Sequence, residues 1–380
     1  MDIKTKVALK ACATYDDDIV LGIVRELTDA LGGIGKYIEK GMVVALKPNL
    51  LLPSKPDNGA TTNPAVVGAI GRLVIEAGGK PIIVESPGGP YNKAILRTAY
   101  RSCGIDEVCE KFNIELNYDT SLKKVTADCF GRKRSFMVLK PLAEADFVIN
   151  LPKMKTHGMM AFTGAVKNMF GAIAGTEKAA YHMNVPDYDA FASNMLDICK
   201  TISPGLTLMD AVEAMEGNGP SAGKVRKMNL LLASESPYAL DMAAHDIIGL
   251  PADESYIMAQ ALERGVSVEY EPTGDSIDDF MVGDYDIPFK KGFGLRKKNL
   301  LNSKFITRFK SKPIVDKKTC IGCGICMRNC PAEVIEMKEG KPSFDYSGCI
   351  RCFCCQELCP EHAITIKQPL LIKLLKAGRK

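Results

Sequence analysis

Eight cysteines in two runs carry the most specific chemistry in the sequence. Cys320, Cys323, Cys326 and Cys330 precede Pro331 in CIGCGICMRNCP, and Cys349, Cys352, Cys355 and Cys359 precede Pro360 in CIRCFCCQELCP. Both runs read C-x2-C-x2-C-x3-C-P, the one clear internal repeat in the chain. Thiolates two residues apart on a tight loop can cap three corners of an iron-sulfur cubane, while the fourth, a helical step further on, points to a second cubane. The spacing therefore predicts two 4Fe-4S clusters with exchanged ligands: Cys320, Cys323 and Cys326 with Cys359, and Cys349, Cys352 and Cys355 with Cys330. Zinc sites also use C-x2-C pairs, but they need four ligands per ion and no repeated third cysteine and proline. Gly322 and Gly324 suit close backbone approach to sulfide. Cys354 stands where the first run has Ile325 and is read as a spectator thiol.

Two further polar stretches are expected where strands end. ALKPNLL leads into GATTNP at a helix start, so Lys47, Asn49, Thr61 and Thr62 would ring free backbone N-H groups suited to an anion. Plain capping and turn chemistry accounts for the same residues equally simply. NLPKMKTHGMMAFTGAVKNMFGAIAG follows the apolar Phe147-Val148-Ile149, which puts Lys153, Lys155 and His157 beyond the carboxyl end of a strand, where α/β proteins keep their sites. Thr163 and Gly164 would then open a helix carrying Lys167 and Asn168 one turn in, and the group could cradle a phosphate, carboxylate or enolate. His157, Lys153 and Lys155 are the candidates for acid-base chemistry, although a lone histidine serves as often in a structural hydrogen bond. In MDAVEAMEGNGP, Asp210, Glu213 and Glu216 could face the same cleft, with Asp241, or lie as acids on a helix surface. No GxGxxG, Walker, HExxH or nucleophile-elbow motif occurs.

The elements that must position these residues alternate between β-branched runs and helical patterns up to about Asp286, which predicts an α/β architecture. Strands are expected at 6–10, 42–46, 81–84, 146–150, 206–209 and 229–233, helices at 17–31, 64–77, 93–102, 187–201 and 239–250, and a hairpin near 120–140. Asn63 can cap the helix that Pro64 begins and Gly78-Gly79 end. The expected organisation is a large α/β domain over 1–288, with a mainly parallel or mixed sheet flanked by helices. A basic linker follows over 289–316, then a small two-cluster α+β domain over 317–367 and a basic amphipathic tail over 368–380. From Phe289 to Lys318 the only acid is Asp316, so this stretch is a solvated linker or a docking surface for an acidic redox partner or anionic membrane.

A chain of 380 residues can bury a sizeable core, and a net charge of +4 is too small an excess to imply a nucleic-acid partner. No run approaches transmembrane length, and the start lacks a secretory pattern, so a cytoplasmic chain with reduced thiols is expected. Cys12, Cys103, Cys109, Cys129 and Cys199 then read as small buried hydrophobes.

Lys317 to Lys367 resembles a bacterial-type two-cluster 4Fe-4S ferredoxin. Lys4 to Ile287 carries ALKPNLL, GATTNP, INLPKMKTH, TGAVKNMFG, MDAVEAMEGNGPSAG and ALD in that order, and through them resembles the prokaryotic family called domain of unknown function 362. In that family the domain is frequently fused to a two-cluster ferredoxin. The resemblance implies an α/β fold and a redox association, and it supplies no agreed reaction or catalytic residues.

The leading expectation is an oxidoreductase whose clusters carry single electrons to or from the polar cleft. A flavin or deazaflavin there would place its phosphate near Lys153, Lys155 and the helix at Thr163. The alternative is a non-catalytic electron carrier or adaptor that docks to a partner enzyme, and a third reading makes the clusters staples or sensors for redox-neutral chemistry at His157. The expected partner is a redox protein or small-molecule electron carrier; weak membrane-surface contact and a homo-oligomer are both compatible.

Overall fold

The computed structural model describes residues 4–185, 187–287, 290–291 and 311–367. The expected amphipathic tail lies outside them, as does the basic linker except for 290–291 and 311–316.

The chain begins β1 (Thr5–Ala11), α1 (Asp17–Ala30), β2 (Val43–Pro48), α2 (Pro64–Glu76), β3 (Lys80–Ile83), α3 (Lys93–Ser102), α4 (Ile105–Phe112) and β4 (Glu115–Leu116). A hairpin of β5 (Leu122–Asp128) and β6 (Lys133–Leu139) and the short α5 (Lys140–Glu144) lead to β7 (Phe147–Leu151), β8 (Lys153–His157) and β9 (Ala161–Thr163). Next come α6 (Ala165–Asn168), α7 (Gly175–Asn184), α8 (Tyr188–Ile202), β10 (Leu206–Glu216), β11 (Lys224–Ser234), α9 (Pro237–Ile247), α10 (Tyr256–Glu263) and β12 (Tyr270–Gly274). The C-terminal region holds β13 (Lys312–Val315), α11 (Ile325–Arg328), β14 (Ile335–Lys338), β15 (Lys341–Phe344), α12 (Cys354–Glu357) and β16 (Ile364–Lys367).

Local chemistry explains the firmest of these. The Asn63 side chain accepts from the Ala65 N-H at 3.0 Å and Pro64 occupies the first turn of α2, where its missing N-H costs nothing. Asp187 caps α8 in the same way, accepting from the Ala190 N-H at 2.8 Å.

Ten strands make one mixed sheet in the order β12-β1-β11-β10-β7-β2-β3-β4, with β8 paired to β10 and β9 to β8. The β10-β7-β2-β3-β4 side is parallel, and β11 runs antiparallel to β1 and β10. Alternate residues go to opposite faces, as the pleat requires. Leu230 and Leu232 of β11 pack with α9, whereas Leu231 and Ala233 pack with α1 and α2 on the other side. Helices therefore cover both faces, the arrangement expected of a largely parallel sheet.

Two elements depart from the sequence reading. Lys153 to His157 lie beyond the end of β7, as expected, but form a buried strand of their own, β8, in which Lys153, Lys155 and His157 alternate at a period of two. Asp210, Glu213 and Glu216 lie on the long strand β10, not on a helix surface.

The C-terminal region pairs β13 with β16 and β14 with β15, both antiparallel. Its repeat is visible in the backbone: Gly322 and Gly324 have φ of 73° and 70°, and Arg351 and Phe353, at the matching places in the second run, have φ of 60° and 61°. A bulky residue in that region is strained by roughly 1 kcal/mol or more and needs outside support. Docking supplies it: Phe353 packs in the same hydrophobic cluster as Met159 and Phe170, and Tyr188 Oη donates to Arg351 O at 2.8 Å. Gln356 Nε2 also donates to Asn218 O, at 2.7 Å. Lys290 and Lys291, at the start of the expected linker, pair with Glu254 and Asp189 of the large region.

Candidate functional site

A cavity of about 370 Å³ opens where β2 and β3 end and the second cysteine run is docked. Lys47 enters it from β2 and Asn49 from just beyond, Glu85 from the segment after β3, Lys155 and His157 from β8, Thr163 from the end of β9, and Lys167 and Asn168 from α6. Lys178 and His182 of α7 form another wall. The C-terminal region closes it with Arg328, Cys330, Cys354 and Glu357.

The two polar stretches singled out in the sequence meet through amides. Lys47 Nζ donates to Glu85 Oε2 at 2.6 Å, to Pro48 O at 2.9 Å and to Asn168 Oδ1 at 3.2 Å. Asn49 Nδ2 donates to the same Asn168 oxygen at 2.9 Å, and Asn49 Oδ1 accepts from Lys155 Nζ at 2.7 Å. Lys155 Nζ also donates to Ala60 O at 2.5 Å. Burial, followed by Lys167, pulls the Lys155 ammonium down to about 7, and burial pulls Lys178 down to about 8 against the opposing effect of Glu85. Lys47 and Lys167 are lowered by the same cause.

Several expected site residues are engaged elsewhere. Lys153 is sealed away from the cavity, 1% exposed, with Nζ 2.8 Å from Asp210 Oδ2 and 2.8 Å from Tyr15 Oη. Asp210 also accepts from the Asn63 N-H at 2.9 Å, so the anion held at the start of α2 is the protein's own carboxylate. Thr62 Oγ1 donates to Leu151 O at 2.6 Å, and the buried Thr61 hydroxyl has no hydrogen-bond partner among the described residues; neither lines the cavity. The start of α6 is filled likewise: Asp241 accepts from the Ala165 N-H at 2.6 Å and the Val166 N-H at 3.0 Å, and a Cβ on Gly164 would stand 2.2 Å from that carboxylate. Gly164 thus serves an internal cap, and the phosphate expected beside Lys153 and Thr163 has no free helix end there.

His157 accepts at Nδ1 from the N-H groups of Met159 and Met160, at 3.0 and 3.3 Å. Its neutral ring must therefore carry the proton on Nε2, which lies 3.0 Å from Glu357 Oε1. The approach lacks full hydrogen-bond alignment, so the contact is a charge-dipole one between the neutral ring N-H and the Glu357 carboxylate. His157 lines the cavity with both ring nitrogens engaged, which fits a positioning role better than free acid-base chemistry. Glu85, Lys178, His182 and Glu357 were not singled out in the sequence. Lys178 and His182, four apart on α7, and ESPGG after the apolar Ile82-Ile83-Val84 were the available signals.

The cysteine runs fit cubanes. Cys320, Cys323, Cys326 and Cys359 line one small apolar void of about 20 Å³. Burial pushes the Cys326 thiol up, reinforced by Cys359, Cys323 and Cys320; burial pushes Cys355 up, reinforced by Cys352, Cys349, Cys326 and Cys330. The thiols acting on Cys326 include Cys359 and those acting on Cys355 include Cys330, so each run lies beside the last cysteine of the other. Among the described residues no three His, Cys, Asp or Glu side chains converge on a point that would hold a single metal ion. The Ala363 N-H donates to Cys359 Sγ at 3.3 Å, the type of contact that tunes a cluster. The five other motif-independent cysteines, Cys12, Cys103, Cys109, Cys129 and Cys199, are all buried.

Residues 44–246 match a family model described as domain of unknown function (DUF362), and residues 312–360 match a 4Fe-4S dicluster domain. The thylakoid-associated protein sll1697 of Synechocystis sp. is 36% identical over 257 residues, covering 67% of this chain and 78% of that protein. The solved lactate racemase apoprotein of Thermoanaerobacterium thermosaccharolyticum aligns at 15% identity and a TM-score of 0.37, over 61% of this chain and 54% of its own, so this chain spans about half its length. Among the described residues no helix is long and apolar enough to cross a membrane.

Proposed function

This chain belongs to the family of the domain of unknown function DUF362, here joined to a 4Fe-4S dicluster domain, and on that premise we propose that it is an iron-sulfur oxidoreductase whose electrons meet a substrate, or a flavin- or deazaflavin-type cofactor, in the cavity. The observation that carries this reading is that one cavity is lined both by Cys330 and by the buried Lys155 and half-buried Lys167. Cys320, Cys323, Cys326 and Cys359 would hold one cluster, and Cys349, Cys352, Cys355 and Cys330 the other. When bound, the clusters supply or accept single electrons.

The chain's own residues bind, orient and exclude. Lys155 Nζ is aimed by Asn49 and Ala60, and with a proton affinity near neutral it can hold or release a proton at the ligand. His157, fixed by two amides, meets Glu357 and so holds the second cysteine run against the sheet. Leu51, Phe170 and Leu358 give the cavity an apolar side that limits water. The exposed Cys323, beside Ile321 at 63% exposure, supports arrival of a redox partner protein or small electron carrier at the first run.

Anaerobically reconstituted protein mixed with FMN or a deazaflavin is expected to give a bound-chromophore difference spectrum, and protein whose clusters have been reduced and then freed of excess reductant is expected to bleach it. Fully iron-loaded protein that binds and reduces neither would remove the cofactor reading and favour the carrier.

A further inference from the structure

We infer that the cavity is built for a ligand with an apolar body and an end bearing two negative charges, a phosphate monoester or a dicarboxylate, gripped by Lys155, Lys167 and Lys178. This rests on the reading that the cavity is the working site, and it specifies what that site holds.

The charges facing the cavity do not balance. Its described lining has five cationic side chains, Lys47, Lys155, Lys167, Lys178 and Arg328, against two carboxylates, Glu85 and Glu357. Glu85 is taken by Lys47 at 2.6 Å, and Glu357 lies against His157 at 3.0 Å. The other three ammonium groups, the buried Lys155 and the half-buried Lys167 and Lys178, have only neutral partners among the described residues. Lys155 donates to the Asn49 amide oxygen and to Ala60 O, and Lys178 donates to Ser86 O. Lys167 sits over the Phe170 and Phe191 rings, at 5.2 and 6.0 Å from their centroids. Stripping a cation of water without a counter-charge is unfavourable, and a cavity that keeps one buried and two half-buried ammonium groups on its wall has a place for an anion.

The competing explanation is that these lysines offset the negative charge of thiolate-bound iron. It accounts for Lys167, which is acted on by Cys354 and Glu357, but not for the others. Lys155 is held by Asn49 and Ala60 and Lys178 by Ser86, and among the described residues neither has a hydrogen bond or ion pair to a cysteine. One negative charge would leave most of the excess in place, whereas two bring it near balance. Leu51, Phe170 and Leu358 on the same cavity would receive the apolar body.

The test uses iron-loaded, oxidised protein and calorimetric titration with phenyl phosphate, phthalate, benzoate and benzyl alcohol. The expected result is that phenyl phosphate or phthalate binds at least about tenfold tighter than benzoate, which binds tighter than benzyl alcohol. The better of the two identifies the source of the charge. Lys167→Gln and Lys178→Gln should each weaken it by about tenfold, with iron content and thermal midpoint showing that the variants are intact. Dianions that bind no better than benzoate, or a dianion affinity unchanged in both intact variants, would overturn the inference. The outcomes also separate it from the electron-exchange reading. Tight dianion binding in protein whose reduced clusters reduce no cavity probe would uphold the charge class and remove that reading; reduction of a bound flavin without dianion preference would do the reverse.

Discussion

His157 Nε2 lies 3.0 Å from Glu357 Oε1, joining strand β8 of the large sheet to the four-residue helix α12 in the second cysteine run. The pair is nearly closed to solvent, at 2% and 12% side-chain exposure, and burial lowers the proton affinity of the histidine ring. It is one of the contacts that make the cysteine motif part of the cavity wall.

Glu357→Gln should therefore loosen that wall. The expected loss is about 1 kcal/mol in anaerobic denaturant unfolding of iron-loaded protein, the usual scale for a single substitution. Stability equal to the parent protein would show that the pair does not hold the two regions together.

Lys153 is expected to matter for folding rather than for chemistry. Lys153→Met leaves the fully buried Asp210 carboxylate facing only Tyr15 and backbone N-H groups, and should cost about 3–5 kcal/mol. Lys153→Met combined with Asp210→Asn should recover much of that loss, because no buried charge is then left alone. Thermal unfolding of the two variants distinguishes this from a catalytic lysine, whose loss would leave stability intact.

Much of the frame was legible because local rules agreed with each other. Asn63, Pro64 and Gly78-Gly79 bracket α2, and the alternating runs near 122–139 form the expected hairpin. Strand β10 was not legible beyond its first residues, because Asp210, Glu213 and Glu216 mimic the spacing of acids on a helix. What makes Asp210 tolerable in a strand is Lys153, 57 residues away, and Tyr15, 195 residues away. The same reason hid the fate of the two expected anion sites: Asp210 and Asp241 reach them from distant parts of the chain. The cluster motifs were readable because their ligands are local in sequence, whereas the cavity they border depends on docking.

The exchanged ligands make a separable prediction. Cys330→Ser should disturb the cluster held by Cys349, Cys352 and Cys355, and Cys359→Ser the one held by Cys320, Cys323 and Cys326. Cys354→Ser should leave iron content unchanged, since that thiol stands outside both sets. Iron analysis and low-temperature EPR of the reduced variants check all three; a loss of iron in Cys354→Ser would make that residue a ligand.

The depressed lysines give the anion affinity a pH dependence of definite sign. Lys155, lowered to about 7 by burial and then Lys167, and Lys178, lowered to about 8 by burial, are ammonium ions below those values and lose protons as pH rises through them. A bound dianion raises both, so binding takes up protons above pH 7 and weakens by up to about tenfold per pH unit for each proton taken up. Phthalate, ionised across this range, should therefore bind more weakly at pH 9 than at pH 7 when titrated by calorimetry in two buffers of different ionisation enthalpy. Folding responds oppositely: between about 7 and the ordinary lysine value of 10.5 the unfolded chain binds more protons, so the contribution of these lysines to stability rises with pH. Affinity that is flat from pH 7 to 9 would exclude Lys155 and Lys178 from the anion site.

The meeting of electrons and ligand between Lys155, Lys167 and Cys330 is tested most directly by a crystal structure of anaerobically purified protein that has kept its iron. The expected result is ordered non-solvent density in the cavity, with its anionic end at Lys155, Lys167 and Lys178 and its body turned toward Cys330. A fully iron-loaded protein whose cavity holds only solvent, and stays so after soaking with FMN and with phenyl phosphate, would contradict it.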